Sequence, residues 1–196
     1  VMDLNETEDF FIISGNHFTF EFDKRSGKIS SYMLEGKNII KQGPTLNVWR
    51  APTDNDGSYW PDDTNRRQCK LWLDARLKDM VNSLINIELK ENEAGKVVFE
   101  VNAVFANRSK DAGFNYNTKY TVFNTGHFSM KTDVKPFGTL PNLPRLGFQL
   151  VFGEEYNNFE WYGRGPHESY NDRKVAALIG KYAGSVDEQF TNYVVH

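Results

Sequence analysis

The sequence predicts an all-β protein, specifically a large antiparallel β-sandwich with at most one short helix. Apolar residues recur at every second position in most apolar segments, which is the period of a strand with one buried face. Glycine and asparagine separate these segments at short intervals, as the turns of an antiparallel sheet require. Aromatic side chains make up 14% of the 196 residues, and their rings pack well on pleated sheet faces.

The first predicted hairpin shows the alternation most clearly. Phe18, Phe20 and Phe22 alternate with polar residues, so their three rings share one face of a strand. Charged and glycine-containing turns follow, which makes this part of the chain rich in hairpins. The predicted elements are, in order, strand 17–23, turn 23–27, strand 28–34 and turn 35–38.

The same alternation and the same turn signals predict further strands along the rest of the chain. These strands are 81–89, 97–105, 116–123, 128–134, 146–152, 159–162 and 176–182. Asn124-Thr125-Gly126 predicts a hairpin between the strands on either side of it. The stretch 190–195 is also apolar, and we expect the fold to continue beyond it because an open sheet edge is normally covered.

Two segments depart from the strand pattern. Between residues 62 and 78, Arg67, Leu71, Asp74 and Lys78 share one face at helical spacing, which predicts the one short helix. Segment 136–144 contains three prolines, and proline removes the backbone donor that a sheet ladder needs. This segment is therefore predicted to be a loop or an edge crossing.

Composition excludes several classes of protein. The net charge is −3, whereas a nucleic-acid binder normally carries a basic surplus. No apolar run approaches the ~18 residues of a membrane span, so no membrane partner is expected. A single cysteine, Cys69, rules out an internal disulfide and a cysteine-built metal site. We therefore expect no cofactor or metal in this chain.

The first unusual motif is the loop 47–57. It holds the candidate residues Arg50, Asp54, Asn55, Asp56 and Gly57. One interpretation is a loop that caps itself, with the arginine paired to either aspartate. The other is a site for Ca²⁺ or for sugar hydroxyls, although an EF-hand is excluded because its twelfth position would be an asparagine rather than a glutamate.

The second motif is 161–173, which concentrates charged and aromatic side chains between two glycines and a proline. The candidate residues in it are Trp161, Arg164, His167, Glu168, Tyr170 and Arg173. One interpretation is an ion-pair network, in which Arg164 or Arg173 binds Asp54, Asp56 or Glu168. The other is the polar wall of a sugar site, with Trp161 or Tyr162 as the aromatic platform.

Together these motifs resemble one family. Trp49-Arg50-Ala51-Pro52-Thr53-Asp54-Asn55-Asp56 and Trp161-Tyr162-Gly163-Arg164-Gly165-Pro166-His167-Glu168 are similar to signatures of the C-terminal small-chain domain of glycoside hydrolase family 2 β-galactosidases. The segment 140–147 and the opening hairpin also resemble that domain. The resemblance implies a galactose mutarotase-like supersandwich over residues 1–196, incomplete at its C-terminus.

The resemblance also implies a function. The family hydrolyses terminal β-D-galactosides such as lactose, with two glutamates on a (β/α)₈ barrel that would lie outside this chain. This chain would then be non-catalytic, since Glu168 lacks a carboxylate partner. It would pack on the barrel and shape the galactoside site, and a loop at that site would begin near Gly57. There the sequence has one residue fewer than is common in the family.

For the parent enzyme, the resemblance implies a homo-oligomer in the bacterial cytoplasm or periplasm, with Mg and Na bound outside this segment. Three alternatives remain open. They are a stand-alone carbohydrate-binding module, a structural assembly domain, and a mutarotase that would need one of four histidines as an acid or base. These histidines are His17, His127, His167 and His196.

Overall fold

The computed structural model describes residues 2–57, 68–170 and 173–190 of the chain. These residues form two compact units, which are described separately. The larger unit contains residues 2–57 and 68–152, and the smaller unit contains residues 153–170 and 173–190.

The larger unit contains two antiparallel sheets. The six-stranded sheet has the order β1-β2-β3-β4-β5-β10. Its strands are β1 Asp3–Glu6, β2 Phe10–Ser14, β3 Phe18–Asp23, β4 Lys28–Leu34, β5 Lys37–Asn47 and β10 Gly147–Phe152. The four-stranded sheet has the order β6-β7-β8-β9. Its strands are β6 Val81–Glu93, β7 Lys96–Ala106, β8 Gly113–Phe123 and β9 Phe128–Phe137.

The inner faces of these two sheets form one core. In β3, the three alternating phenylalanines are buried while the residues between them are partly exposed. The Phe22 ring lies 5.8 Å from the Phe99 ring and 4.9 Å from the Tyr120 ring, both of which belong to the four-stranded sheet. Phe11 meets Phe99 at 4.8 Å. This face-to-face packing confirms the predicted β-sandwich.

A second core cluster connects the sandwich to helix α1, Gln68–Asp74. Trp72 from this helix and Leu77 after it are buried against Leu46, Phe105 and other strand residues. The indole nitrogen of Trp72 donates a hydrogen bond to the carbonyl oxygen of Asn142 at 2.8 Å. The helix therefore covers one end of the sandwich.

The outer face of the four-stranded sheet is polar. The amide of Asn117 donates to Asn102, and the amide of Asn102 donates to Asn86, each at 2.8 Å. Such cross-strand pairs stabilise a solvent-facing sheet surface. They explain why the apolar residues of these strands fall on every second position.

The smaller unit is built on one hairpin. Its strands are β11 Asn158–Gly165 and β12 Leu178–Ser185. They pair from Asn158 with Ser185 to Gly165 with Leu178. No helix in the described residues is long and apolar enough to cross a membrane.

Several predicted boundaries need correction. The predicted helix 62–78 ends at Asp74, because Arg76 adopts a left-handed conformation with φ of 55° and a 3-10 turn follows at Leu77–Asp79. Residues 62–67 lie outside the described residues. The predicted strand 176–182 starts later, at Leu178, because Lys174–Ala176 form another 3-10 turn.

The predicted turn 35–38 ends earlier than expected, since β5 begins at Lys37. In the segment 136–144, predicted to be a loop or an edge crossing, Pro136 and Phe137 end the edge strand β9, which pairs only with β8 among the described strands. Residues 138–144 lie outside the strands, as predicted. The predicted strand 190–195 lies outside the described residues except for Phe190, which follows a 3-10 turn. A single domain over 1–196 stays a prediction.

Candidate functional site

The loop after β5 is organised around the carboxylate of Asp56. Arg50 binds it with two guanidinium nitrogens, at 2.6 Å from Nη1 to Oδ2 and 2.9 Å from Nη2 to Oδ1. The backbone nitrogen of Thr53 donates to the same Oδ2 at 2.7 Å, and its hydroxyl donates at 3.0 Å. Asp56 is only 8% exposed. One carboxylate thus holds both ends of the loop.

The guanidinium of Arg50 is also held from the helix side. It lies 5.1 Å from the centre of the Trp72 ring, a distance at which a cation is attracted to the aromatic face. The Trp49 ring meets Trp72 edge-on at 6.3 Å. The Trp-Arg part of the first motif therefore anchors the loop to helix α1.

The sequence left the partner of Arg50 open between two aspartates, and the structure selects Asp56. Asp54 and Asn55 are exposed in a 3-10 turn, and Gly57 ends that turn with φ of 86°. The loop continues from residue 58 outside the described residues. Among the described residues, no group of three or more potential metal ligands comes together.

Hydrogen bonding determines the charge state of Asp56. Burial by itself raises the pKa of its carboxyl, but the hydrogen bonds from Arg50 and Thr53 and the positive charge of Arg50 outweigh burial. The pKa therefore lies below its ordinary value of 3.8. Asp56 is ionised at neutral pH, so it serves as the anchor of the loop and not as a proton donor.

In the smaller unit, the two arginines of the second motif have different partners. Arg164 on β11 donates to the carbonyl oxygens of Lys174 and Ala177, each at 2.8 Å. Arg173 binds Glu168 at 2.9 Å, as one of the sequence alternatives proposed. Arg164 therefore fixes the connection between the hairpin strands through backbone groups rather than through a carboxylate.

The rings of the second motif lie on opposite sides of the hairpin. Trp161 stacks between Phe159 at 5.3 Å and Tyr182 at 5.4 Å, with interplanar angles of 30° and 31°. Tyr162 projects from the opposite face and is 82% exposed. Of the two platform candidates, only Trp161 belongs to an aromatic row.

Next to this row the smaller unit has a cleft of about 600 Å³. Its lining includes four of the candidate residues, and Tyr170 and Arg173 are not among them. The four are Trp161, Arg164, His167 and Glu168. Sequence reasoning missed Phe159, Ser169, Glu188 and Gln189, which also line the cleft. Only the register of β11 against β12 brings the turn at 187–189 to Phe159 and Trp161.

Two details shape the cleft. A side chain on Gly165 would collide with the Tyr182 ring, since its Cβ would lie 2.6 Å from a ring carbon. The backbone and side-chain hydrogen bonds from Ser185 lower the pKa of Glu188. This carboxyl is therefore ionised at neutral pH and is a hydrogen-bond acceptor.

Comparison with known proteins gives one consistent result. Residues 14–196 match the family described as "Beta galactosidase small chain". The chain is 31% identical over 191 residues to the β-galactosidase of Priestia megaterium, covering 97% of this chain and 17% of that protein. It is 34% identical over 184 residues to the β-galactosidase of Psychromonas ingrahamii, covering 92% of this chain and 18% of that protein.

A third relative extends the comparison. The β-galactosidase of Kluyveromyces lactis is 30% identical over 192 residues, which is 95% of this chain and 18% of that protein. The chain thus spans less than a fifth of the length of these curated relatives.

Proposed function

The chain belongs to the beta galactosidase small chain family, and from that premise we propose that it is a non-catalytic part of a β-galactosidase. Under this proposal the complete enzyme hydrolyses terminal β-D-galactosides such as lactose, and this chain packs beside a catalytic (β/α)₈ barrel and shapes its substrate site. One observation carries the proposal. The match covers residues 14–196, while the relatives named β-galactosidase are more than five times longer than the matched part.

The use of the described carboxylates supports a non-catalytic role. A retaining glycosidase needs two carboxyl groups about 5–5.5 Å apart, one of them with a raised pKa. Asp56 and Glu188 have lowered pKa values because of the hydrogen bonds that they accept. Glu168 is bound to Arg173. Each of these carboxylates holds a loop or a turn, so catalysis falls to glutamates on the barrel.

An exposed apolar surface on the smaller unit supports contact with another domain. Tyr162 and Ile179 lie on the same face of the hairpin and are 82% and 64% exposed. Val175, in the 3-10 turn between the strands, is 95% exposed. Large exposed apolar side chains that share a face are typical of contact sites. We assign it to the barrel domain of the same polypeptide. Under the same proposal the complete enzyme is a homo-oligomer, and its Mg and Na ions lie outside this chain.

Kinetics of the complete enzyme test this proposal. Ile179→Asp places a charge in the apolar surface, and kcat/KM for lactose is expected to fall at least tenfold because docking weakens. The matched control is Ile85→Asp on the larger unit, where the side chain is 63% exposed compared with 64% for Ile179. Deletion of the whole segment with unchanged kcat/KM for lactose would refute the proposal.

A further inference from the structure

We propose that Asp56 is a site of spontaneous covalent modification to isoaspartate, and that the four hydrogen bonds to its carboxylate, here called the Asp56 clamp, suppress this reaction in the folded chain. The sequence contains one Asp-Gly pair, Asp56-Gly57, and no Asn-Gly pair. A glycine has no Cβ to hinder the approach of its backbone nitrogen to the preceding side chain. The modification therefore has one favoured position in the sequence.

The reaction needs only water and involves no oxidation or reduction. The backbone nitrogen of Gly57 attacks Cγ of Asp56, so that a C–N bond forms and the Cγ–OH bond breaks. The proton from the nitrogen and the hydroxyl group leave together as one water, and the product is a cyclic succinimide. Water then adds to the main-chain carbonyl of this ring and breaks its bond to nitrogen, which leaves the chain connected through Cγ as isoaspartate.

The clamp restrains the carbon that is attacked. Oδ2 of Asp56 accepts bonds from Nη1 of Arg50 at 2.6 Å, from the Thr53 nitrogen at 2.7 Å and from the Thr53 hydroxyl at 3.0 Å. Oδ1 accepts from Nη2 of Arg50 at 2.9 Å. The two-pronged contact with the guanidinium also fixes the plane of the carboxyl group. Any rotation of this group towards the Gly57 nitrogen therefore breaks several bonds.

The charge state acts in the same direction. A neutral carboxylic acid can lose its hydroxyl group as water, whereas an ionised carboxylate has no such leaving group. Burial raises the pKa of Asp56, but the hydrogen bonds from Arg50 and Thr53 and the charge of Arg50 outweigh burial and keep the pKa below 3.8. The reactive neutral form is therefore scarcer in the folded chain than in the unfolded one.

The attacking nitrogen is also engaged. The N–H of Gly57 donates to the carbonyl oxygen of Asp54 at 3.2 Å and closes the 3-10 turn. Opening of this turn and of the clamp is a local event that releases both reaction partners. Isoaspartate at position 56 would add a methylene to the backbone and take the carboxylate away from Arg50. The clamp thus protects the loop from a reaction that its own sequence favours.

Incubation of the complete chain at mildly acidic pH, folded in buffer or unfolded in urea, tests the proposal. Peptide mapping by mass spectrometry measures isoaspartate at position 56 and the succinimide, which is lighter by one water. We expect isoaspartate to form at position 56 at least about tenfold more slowly in the folded chain. In the unfolded chain, position 56 is expected to react faster than the other aspartates.

Variants separate the clamp from general stability. Arg50→Lys keeps the positive charge but loses the two-pronged contact, and it is expected to accelerate the reaction in the folded chain at least about fivefold. Thr53→Val removes only the hydroxyl donor, and about a twofold rise is expected. Phe114→Leu is the control, because it loosens the core cluster that includes Trp72 without removing a clamp bond, and the rate is expected to be unchanged.

Tryptophan fluorescence shows whether each variant is folded during the incubation. Equal rates in the folded and unfolded wild type, or no isoaspartate at position 56 in the unfolded chain, would overturn the proposal. Equal acceleration by Phe114→Leu and Arg50→Lys would also overturn it, since global unfolding would then control the reaction. Should Arg50→Lys fail to fold, Thr53→Val and the wild-type comparison decide the outcome.

Discussion

Removal of the Asp56 carboxylate is expected to destabilise the larger unit by about 3 kcal/mol. The side chain accepts two bonds from Arg50 and two from Thr53, and it is only 8% exposed. In Asp56→Ala the arginine loses its two hydrogen bonds to this carboxylate, and the loop backbone loses an acceptor. Breaking a buried ion pair costs about 3–5 kcal/mol. We take the lower end because the Arg50 side chain is 18% exposed.

Equilibrium unfolding in urea measures this effect. Trp49 and Trp72 lie beside the ion pair, so their fluorescence reports on this part of the larger unit. Asp54→Ala is the matched control, because that carboxylate is exposed in the same turn, and its effect is expected to be within about 0.5 kcal/mol. If both variants unfold at the same urea concentration, the reasoning about Asp56 is wrong.

The pH dependence gives an independent check on the same residue. The pKa of Asp56 is lower in the folded chain than its ordinary value of 3.8, so its stabilising effect is present above that value. It is lost as the pH falls through the lowered pKa of the folded state, because the protonated carboxyl no longer pairs with Arg50. The difference in unfolding free energy between wild type and Asp56→Asn is therefore expected to shrink below pH 3.8. A constant difference would contradict the assignment.

Three further predictions concern the sandwich and its turns. Phe99→Ala empties a fully buried position and is expected to cost about 3–5 kcal/mol in urea unfolding, whereas Phe123→Ala on the same sheet, 38% exposed, is expected to cost much less. Gly57→Ala places a side chain at φ of 86° and is expected to cost about 1–2 kcal/mol. Gly147→Ala, which has open space at Cβ, is expected to be tolerated, as thermal unfolding would show. Burial raises the pKa of Tyr116 to about 12 from 10.0, so its stabilising effect is complete below pH 10.0 and is lost as the pH rises towards 12. Tyr116→Phe is expected to flatten that part of the stability curve, and an unchanged slope would contradict the assignment.

The sequence by itself predicted several of the strands that have one face in the core, although it missed β2. In β3, β7 and β8 the side chains alternate between core and solvent, so hydrophobic period alone identifies them. The sequence did not predict β5, because Pro44 and the irregular register of its pairing with β4 and β10 interrupt the alternation of apolar and polar residues. β1 is too short, at four residues, to show a period.

The motifs singled out two segments, but they did not specify the contacts made within them. The sequence could not choose between Asp54 and Asp56, because both lie within reach of Arg50 along the chain. The 3-10 turn makes Asp56 the partner of Arg50, because it exposes Asp54 and buries Asp56. A local backbone conformation and the burial that follows from it therefore select the ion pair.

The sequence determined the alternating faces, the turns and the family signatures, because each of these depends on neighbouring residues. Tertiary structure alone decided which distant groups meet. The pairing of Trp161 with Tyr182, and the position of Trp72 under Arg50, follow from strand register and helix packing over many intervening residues. The physical reason is that hydrophobic burial is non-directional. It specifies that a face must be covered, while the geometry of the whole sheet specifies which side chain covers it.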